Sequence, residues 1–136
     1  MDAFVAGLVN AHSIWRYVVL IMVGITVGRM LMGWMRHDPW RALETRLGAF
    51  LVTAVDVGIA LGLLVWLLQG RWTGEDLLRS WRHPGLMLVA ALVLHYGWWR
   101  VRQSPNDALR FGRSLLYFAI AGIILVVGIF QIQGAI

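Results

Sequence analysis

The chain of 136 residues contains no cysteine, and this absence removes several kinds of site. Disulfides, iron–sulfur clusters and thiolate metal sites all require cysteine. Histidine, which occurs four times, is therefore the only strong nitrogen ligand that the chain can offer to a metal.

Lysine is also absent, so all 12 basic residues are arginines, and they outnumber the seven acidic residues. The arginines lie in the connections between apolar stretches. The positive-inside rule and anionic lipid explain arginines in such places better than nucleic acid does. The net charge of +5 therefore indicates a lipid bilayer as partner, and we expect no nucleic-acid partner.

Proline is scarce, and each of its three copies lies at the predicted start of a helix: Pro39, Pro84 and Pro105. The chain is 60% hydrophobic and has a mean hydropathy of +0.71. A soluble domain of this length would not contain so many apolar residues, and the length leaves room for only one domain. We therefore predict a single transmembrane domain over residues 1–136.

Four apolar segments predict helices at about 4–34, 39–68, 84–102 and 105–133, since a span needs roughly 20 apolar residues. The first and third connections are short, which favours antiparallel packing of consecutive helices. In the longer middle connection, Leu77, Leu78 and Trp81 predict a short helix in the interface plane, capped near Thr73. The predicted fold class is all-α, an integral membrane four-helix antiparallel bundle with a short interfacial helix between helices 2 and 3.

The distribution of arginine predicts the orientation of this bundle. The first and third connections are the richest in arginine, whereas the arginines of the middle connection are offset by Glu75 and Asp76. The positive-inside rule then places the first and third connections in the cytoplasm and both termini outside.

Ionisable residues occur inside the apolar segments, where they are costly and usually functional. His12 and Arg16 share one face of the first helix, Asp56 lies midway along the second, and His95 lies deep in the third. If the first helix begins near Phe4, the helical rise places Arg16, Asp56 and His95 at one depth of about 18 Å. That register predicts an ion pair between Arg16 and Asp56.

Two inward-facing histidines from different helices at one depth are what axial ligation of a haem b requires. His12 could pair with His95. In a register that places His12 nearer the membrane surface, it would pair instead with His83. Arg16 and Arg82 could then neutralise the haem propionates.

The same residues allow other functions. His12, Arg16 and Asp56 could bind the head group of a quinone, either menaquinone or ubiquinone. Three histidines and an aspartate could ligate copper or zinc, although their predicted depths are too different for one compact site. The polar residues could instead lock helices together in a cofactor-free structural or assembly subunit. A small transporter is disfavoured, because no inverted repeat or broken helix is present.

Two further features favour packing roles. Gly24 with Gly28, and Gly58 with Gly62, have the small-xxx-small spacing that permits close approach of helices. Arg29, near the end of the first helix, is expected to extend its side chain to the membrane surface.

The stretch His12-Ser13-Ile14-Trp15-Arg16-Tyr17 is similar to the opening of small bacterial four-helix membrane proteins that are described as cytochrome b-like. Those proteins also have an Asp before a Leu-Gly in the second helix, as in Asp56 and Leu61-Gly62. Their third helix carries His-Pro, a methionine and a second histidine, as in His83-Pro84, Met87 and His95. This chain departs from the first motif with Ala11 for leucine and Tyr17 for tryptophan.

The resemblance covers most of three helices and implies a redox protein of the bacterial inner (cytoplasmic) membrane. The leading hypothesis is a haem b electron-transfer subunit of a larger redox complex, which could also interact with a quinone. Because the predicted extramembrane mass is very small, another subunit would have to hold any further redox centre.

Overall fold

The computed structural model describes residues 2–134 and contains four long helices. These are α1 (Asp2–Arg36), α2 (Ala42–Leu68), α3 (His83–Arg102) and α4 (Asp107–Ile132). They form a four-helix bundle, which confirms the all-α fold class. Each observed helix begins and ends within a few residues of its predicted bounds.

Three of the helices, α1, α2 and α4, are long and apolar enough to cross a membrane by length and composition. The 20 residues of α3 are also sufficient in length, at about 30 Å. This helix is less apolar, because it includes two histidines and ends with Arg100 and Arg102. Of the four predicted apolar spans, three are therefore candidate membrane spans by length and composition.

The packing of the bundle is unequal around its circumference. The α3–α4 interface is the most extensive, followed by α1–α2 and α1–α4, and the α2–α3 interface is the smallest. Neighbouring helices are antiparallel: along α1 and α2, for example, His12 lies against Gly62 while Arg29 contacts Glu44. The bundle therefore consists of two helical hairpins that meet closely on one side only.

Aromatic side chains fill the core at the arginine-rich end of the bundle. The indole of Trp98 lies against Phe118 and Trp40, and Trp40 packs edge-on against Phe111. Gly48 of α2 is so close to Trp98 that a Cβ there would overlap the indole. A residue without a side chain is therefore required where α2 meets this ring.

Helix α1 ends in a left-handed residue. His37 has a φ of 56°, and the backbone N–H of Asp38 donates to the carbonyl of Gly33 at 3.0 Å. This is the hydrogen bond of a Schellman cap, which ends the helix and turns the chain sharply towards α2.

A buried ion-pair network holds this turn against the bundle. The guanidinium of Arg29 contacts Asp38 and Glu44, both at 2.8 Å, and it lies 5.5 Å from the centre of the Phe111 ring. Glu44 is 1% exposed, and its other oxygen accepts the backbone N–H of Arg41 at 2.8 Å. The expectation that Arg29 extends to the surface is therefore wrong, because two carboxylates bind it inside the turn.

The connection between α2 and α3 contains a 3-10 turn, Arg71–Thr73, and then a π-helical turn, Leu78–Arg82, that runs directly into α3. The predicted separate interfacial helix is therefore an extension of α3. Asp76, and not Thr73, caps it, since the Asp76 carboxylate accepts the backbone N–H of Arg79 and pairs with its guanidinium at 3.0 Å. The Arg79 side chain holds the pKa of that carboxyl below its usual range.

Pro84 lies inside this continuous helical stretch instead of starting it. His83 before it keeps helical angles, with φ −63° and ψ −51°. A proline has no N–H to donate to the carbonyl four residues earlier, which is that of Ser80. Trp66 of α2 donates its indole N–H to this carbonyl at 2.8 Å, so the freed acceptor is satisfied from a neighbouring helix.

The other two prolines, unlike Pro84, lie outside the helices. Pro39 and Pro105 precede the first residues of α2 and α4. Asn106 is the N-cap of α4, and its side chain accepts the backbone N–H of Leu109 at 2.9 Å. Ser104, two residues earlier, donates its hydroxyl to the carbonyl of Arg100.

Candidate functional site

His12 of α1 lies against a glycine of α2. A Cβ at Gly62 would be 3.0 Å from the His12 ring, so the absence of a side chain there makes room for the imidazole. One turn away, Gly58 faces Trp15, whose indole donates to the carbonyl of Ala54 at 2.7 Å. The glycine pair of α2 therefore serves close packing, as predicted, and it packs specifically against a histidine and a tryptophan.

His83 is held by a glycine of α4. Its Nδ1 is 3.2 Å from the carbonyl oxygen of Gly128. A carbonyl only accepts, so Nδ1 carries the proton and donates, and the Nε2 of neutral His83 keeps its lone pair. A hydrogen bond of this kind commonly fixes the tautomer and orientation of a metal-binding histidine.

The rings of His12 and His83 lie together. Their centres are 6.4 Å apart and their planes are inclined at 78°. Two imidazoles on opposite sides of one metal ion, each with a metal–nitrogen bond of about 2.0 Å, have ring centres roughly 6 Å apart. The spacing of the two rings therefore fits a shared metal ion.

Three buried polar atoms at or near this end of the bundle lack hydrogen-bond partners among residues 2–134. They are Nδ1 of His12, Nε of Arg16 and Oε1 of Gln131. Arg16 is one helical turn from His12, and its guanidinium lies over the Tyr17 ring at 5.3 Å. Buried polar groups are normally paired, so these atoms mark the region as one where a ligand could bind.

The cationic surroundings of the two rings come from three arginines. Arg16 and Arg71 are close enough to His83 to act on it electrostatically. Arg82 precedes His83, is exposed, and forms no ion pair with any residue in the range 2–134. The His12–His83 pair therefore has partly buried and exposed guanidinium groups available for an anionic group.

A groove lies at the same end of the bundle as the histidine pair. Its cavity of about 450 Å³ is lined by residues of α1 and by the end of α2, among them Val9, Asn10 and Leu68. Neither His12 nor His83 lines this groove, so it is separate from the two rings.

His95 of α3 forms a separate pair with a carboxylate of α2. Nε2 of His95 lies 2.8 Å and 2.9 Å from the two carboxylate oxygens of Asp56, across the α2–α3 interface. Their side chains are 53% and 48% exposed within the chain alone. This pair is therefore on the outer surface of the bundle and close to the middle of both helices.

The predicted Arg16–Asp56 ion pair is wrong, since Asp56 binds His95 instead. The helical rise correctly predicted a common depth for Asp56 and His95, but it could not predict which neighbour the carboxylate of Asp56 faces. Of the two predicted histidine pairings, the structure brings together His12 and His83 and leaves His95 apart. Residues 2–134 contain no group of three or more His, Asp or Glu side chains that could hold a metal ion.

Some residues of the site carried no sequence signal. Gly128 contributes a backbone carbonyl, which any residue has, and α4 has no ionisable group within its apolar span. A Cβ at Gly128 would overlap the Met87 methyl group, so the flexible end of the Met87 side chain would have to move to admit one. The polar side chain of Gln131 near the end of an apolar segment was the one available clue.

Comparisons with known protein families, with curated proteins and with solved structures gave no match to this chain.

Proposed function

We propose that the chain is a membrane-embedded haem b protein that transfers electrons within a larger redox complex, with His12 and His83 as the axial ligands. The observation that supports this most is the 6.4 Å separation of the two rings, which come from α1 and α3. The three unpartnered polar atoms at or near this end of the bundle agree with a bound prosthetic group.

Several residues of the chain would each contribute to binding the haem. His83 donates Nδ1–H to Gly128, which orients the ring and raises the basicity of Nε2. Gly62 has no side chain and therefore makes room for the His12 ring, which lies 3.0 Å from where a Cβ would be. Arg16 and Arg82 would neutralise the propionates. A bound haem would supply reversible one-electron transfer, with a potential that depends on the axial ligands and their hydrogen bonds.

The proposed location is the bacterial inner membrane, with the arginine-rich connections in the cytoplasm and both termini outside. Three candidate spans support embedding in a bilayer. Between the helices, residues 2–134 form only short connections, so the electron donor and acceptor would have to lie on other subunits.

The test is the absorption spectrum and extracted haem content of protein purified from cells supplied with a haem precursor. We expect a Soret band in the natural protein, and loss of most of it in His12→Ala and in His83→Ala. His95→Ala and His37→Asn are matched histidine controls and should keep it. Absence of haem from the natural protein, or its loss in His95→Ala but not in His83→Ala, would contradict the proposal.

A cofactor-free structural subunit is the second candidate, and one observation favours it. The imidazole of His83 already bonds Gly128 and packs edge-on against His12, so the two rings join α1, α3 and α4 without any ligand. In that case the natural protein would contain no haem, and His83→Ala would lower thermal stability while leaving the spectrum unchanged.

A further inference from the structure

The Asp56–His95 pair lies midway along the bundle and faces outwards. Asp56 is 14 residues from the start of α2 and 12 from its end, which is about 20 Å from either end. About half of each side chain is uncovered by the bundle. In a bilayer these atoms would face the hydrocarbon region, where uncovered ionisable groups are costly.

The pair retains hydrogen-bonding capacity after its mutual contact. Nε2 of His95 bonds both oxygens of Asp56, and Nδ1 has no partner among the described residues. A carboxylate can also accept at lone pairs that this contact does not use. When the imidazole is neutral, Nδ1 accepts, and when it is protonated, Nδ1–H donates. The outer edge of the pair can therefore bind either a hydroxyl or a carbonyl oxygen.

The surroundings of the pair fit a small ligand better than a transmembrane helix. The α2–α3 interface is the smallest in the bundle, and large exposed side chains, Leu92 and Tyr96, flank His95. Helices dock in membranes mainly through small residues. The glycine of α3 nearest to the pair, Gly97, is covered by Tyr117, whereas the open glycines Gly24 and Gly28 lie on α1.

We propose that the Asp56–His95 pair binds the ring of a lipid-soluble quinone or quinol, with the isoprenoid-type tail along the apolar surface beside Leu92. The quinol hydroxyl would donate to neutral Nδ1 of His95, and the quinone carbonyl would accept from the protonated ring. The site differs from the quinone site predicted from sequence, since His95 replaces both His12 and Arg16. It depends on the proposed membrane location but not on haem.

The test is photolabelling of the full-length protein in lipid nanodiscs with an azido-substituted decylbenzoquinone, followed by peptide mapping. We expect label on residues near Val57 and Leu92 that excess decylubiquinone removes. Loss of one charge-assisted hydrogen bond, in Asp56→Asn or in His95→Gln, should lower this label about tenfold. His37→Asn, at the far turn of α1, is the matched control and should label as the natural protein does.

A double variant, Asp56→Leu with His95→Leu, covers the case in which a single variant does not fold. It removes both polar groups together and should also lose the label. The proposal is overturned if labelling of the natural protein is the same as in any lipid-exposed helix, or if the double variant labels normally. It is also overturned if Leu92→Cys, in a chain without other cysteines, forms disulfide-linked dimers in the membrane, since a second copy would then cover the pair.

The haem proposal and the quinone proposal can each be contradicted without contradicting the other. The same preparations give an absorption spectrum, so His12→Ala should lose haem and keep the quinone label. A natural protein without haem that still shows competed label would exclude the haem proposal alone.

Discussion

At the scale of single residues, the structure pairs charged side chains that the sequence alone could not pair. The apolar pattern locates Arg29, Asp56 and His95 along the chain correctly. The direction in which each side chain leaves its helix depends on packing between helices, and hydropathy contains no information about it. Glu44 illustrates this most clearly, because its position at the start of a helix predicts a solvated residue, whereas it is 1% exposed and binds Arg29.

Glu44→Gln should destabilise the bundle substantially. The change removes one of the two carboxylate charges that bind the partly exposed Arg29, and a hydrogen bond to a charged group contributes about 1.5–3 kcal/mol. Because Asp38 still contacts Arg29, we expect the lower part of that range. Thermal unfolding in detergent, followed by circular dichroism, measures the effect.

Glu75→Gln is the matched control for this change, since Glu75 is an exposed glutamate in the α2–α3 connection. It should alter the free energy of unfolding by less than about 0.5 kcal/mol. Equal effects of the two substitutions would mean that the Arg29–Glu44 contact contributes nothing to stability.

At the scale of elements, the sequence predicts where the helices lie, but it does not predict the irregular structure at their ends. Long apolar segments predict helix bounds well, because few alternatives satisfy the backbone in lipid. Pro84 was predicted to begin a helix from a local rule. Helical structure continues through it because a tertiary contact, from Trp66 to the Ser80 carbonyl, satisfies the acceptor that proline leaves free.

This contact gives a prediction in the form of a double-mutant cycle. Trp66→Phe removes the indole donor and should cost about 1–3 kcal/mol, the usual penalty for leaving a buried acceptor unpaired. In a Pro84→Ala background the new backbone N–H of residue 84 can donate to Ser80, so the same substitution should cost clearly less. Denaturation of the four proteins in the same detergent measures the coupling.

Additive effects would contradict this account of the π-helical turn. Trp66 also contacts Trp72 and Trp81 edge-on, and phenylalanine loses part of that packing in both backgrounds. The coupling energy cancels this shared loss, which is the reason for using a cycle instead of a single substitution.

At the scale of the whole molecule, the sequence predicted the number, order and antiparallel arrangement of the helices. It did not predict that the α1–α2 hairpin and the α3–α4 hairpin make a larger interface between α1 and α4 than between α2 and α3. Interface size depends on how glycines and large rings alternate on facing helices, for example Gly48 against Trp98 and Gly97 against Tyr117. A Cβ added at Gly24 or Gly28, which have the same spacing as Gly58 and Gly62, would meet nothing within 4 Å among the described residues.

The orientation in the membrane can be tested directly because the chain has no cysteine. Single cysteines would replace His37, Glu75 and Gln103, one in each connection. A membrane-impermeant maleimide added to intact spheroplasts should label Glu75→Cys only, since the positive-inside rule places the other two connections in the cytoplasm. All three should be labelled after permeabilisation, and the opposite pattern in spheroplasts would reverse the proposed topology.

The small α2–α3 interface restricts which faces of the bundle could contact other subunits. In a bilayer, molecules that diffuse in the plane of the membrane would meet polar atoms midway along the bundle at the α2–α3 side, where Asp56 and His95 lie. Any larger assembly that leaves this flank accessible would have to contact the chain elsewhere. We therefore expect subunit contacts to concentrate on α1, whose two open glycines allow another backbone to approach closely.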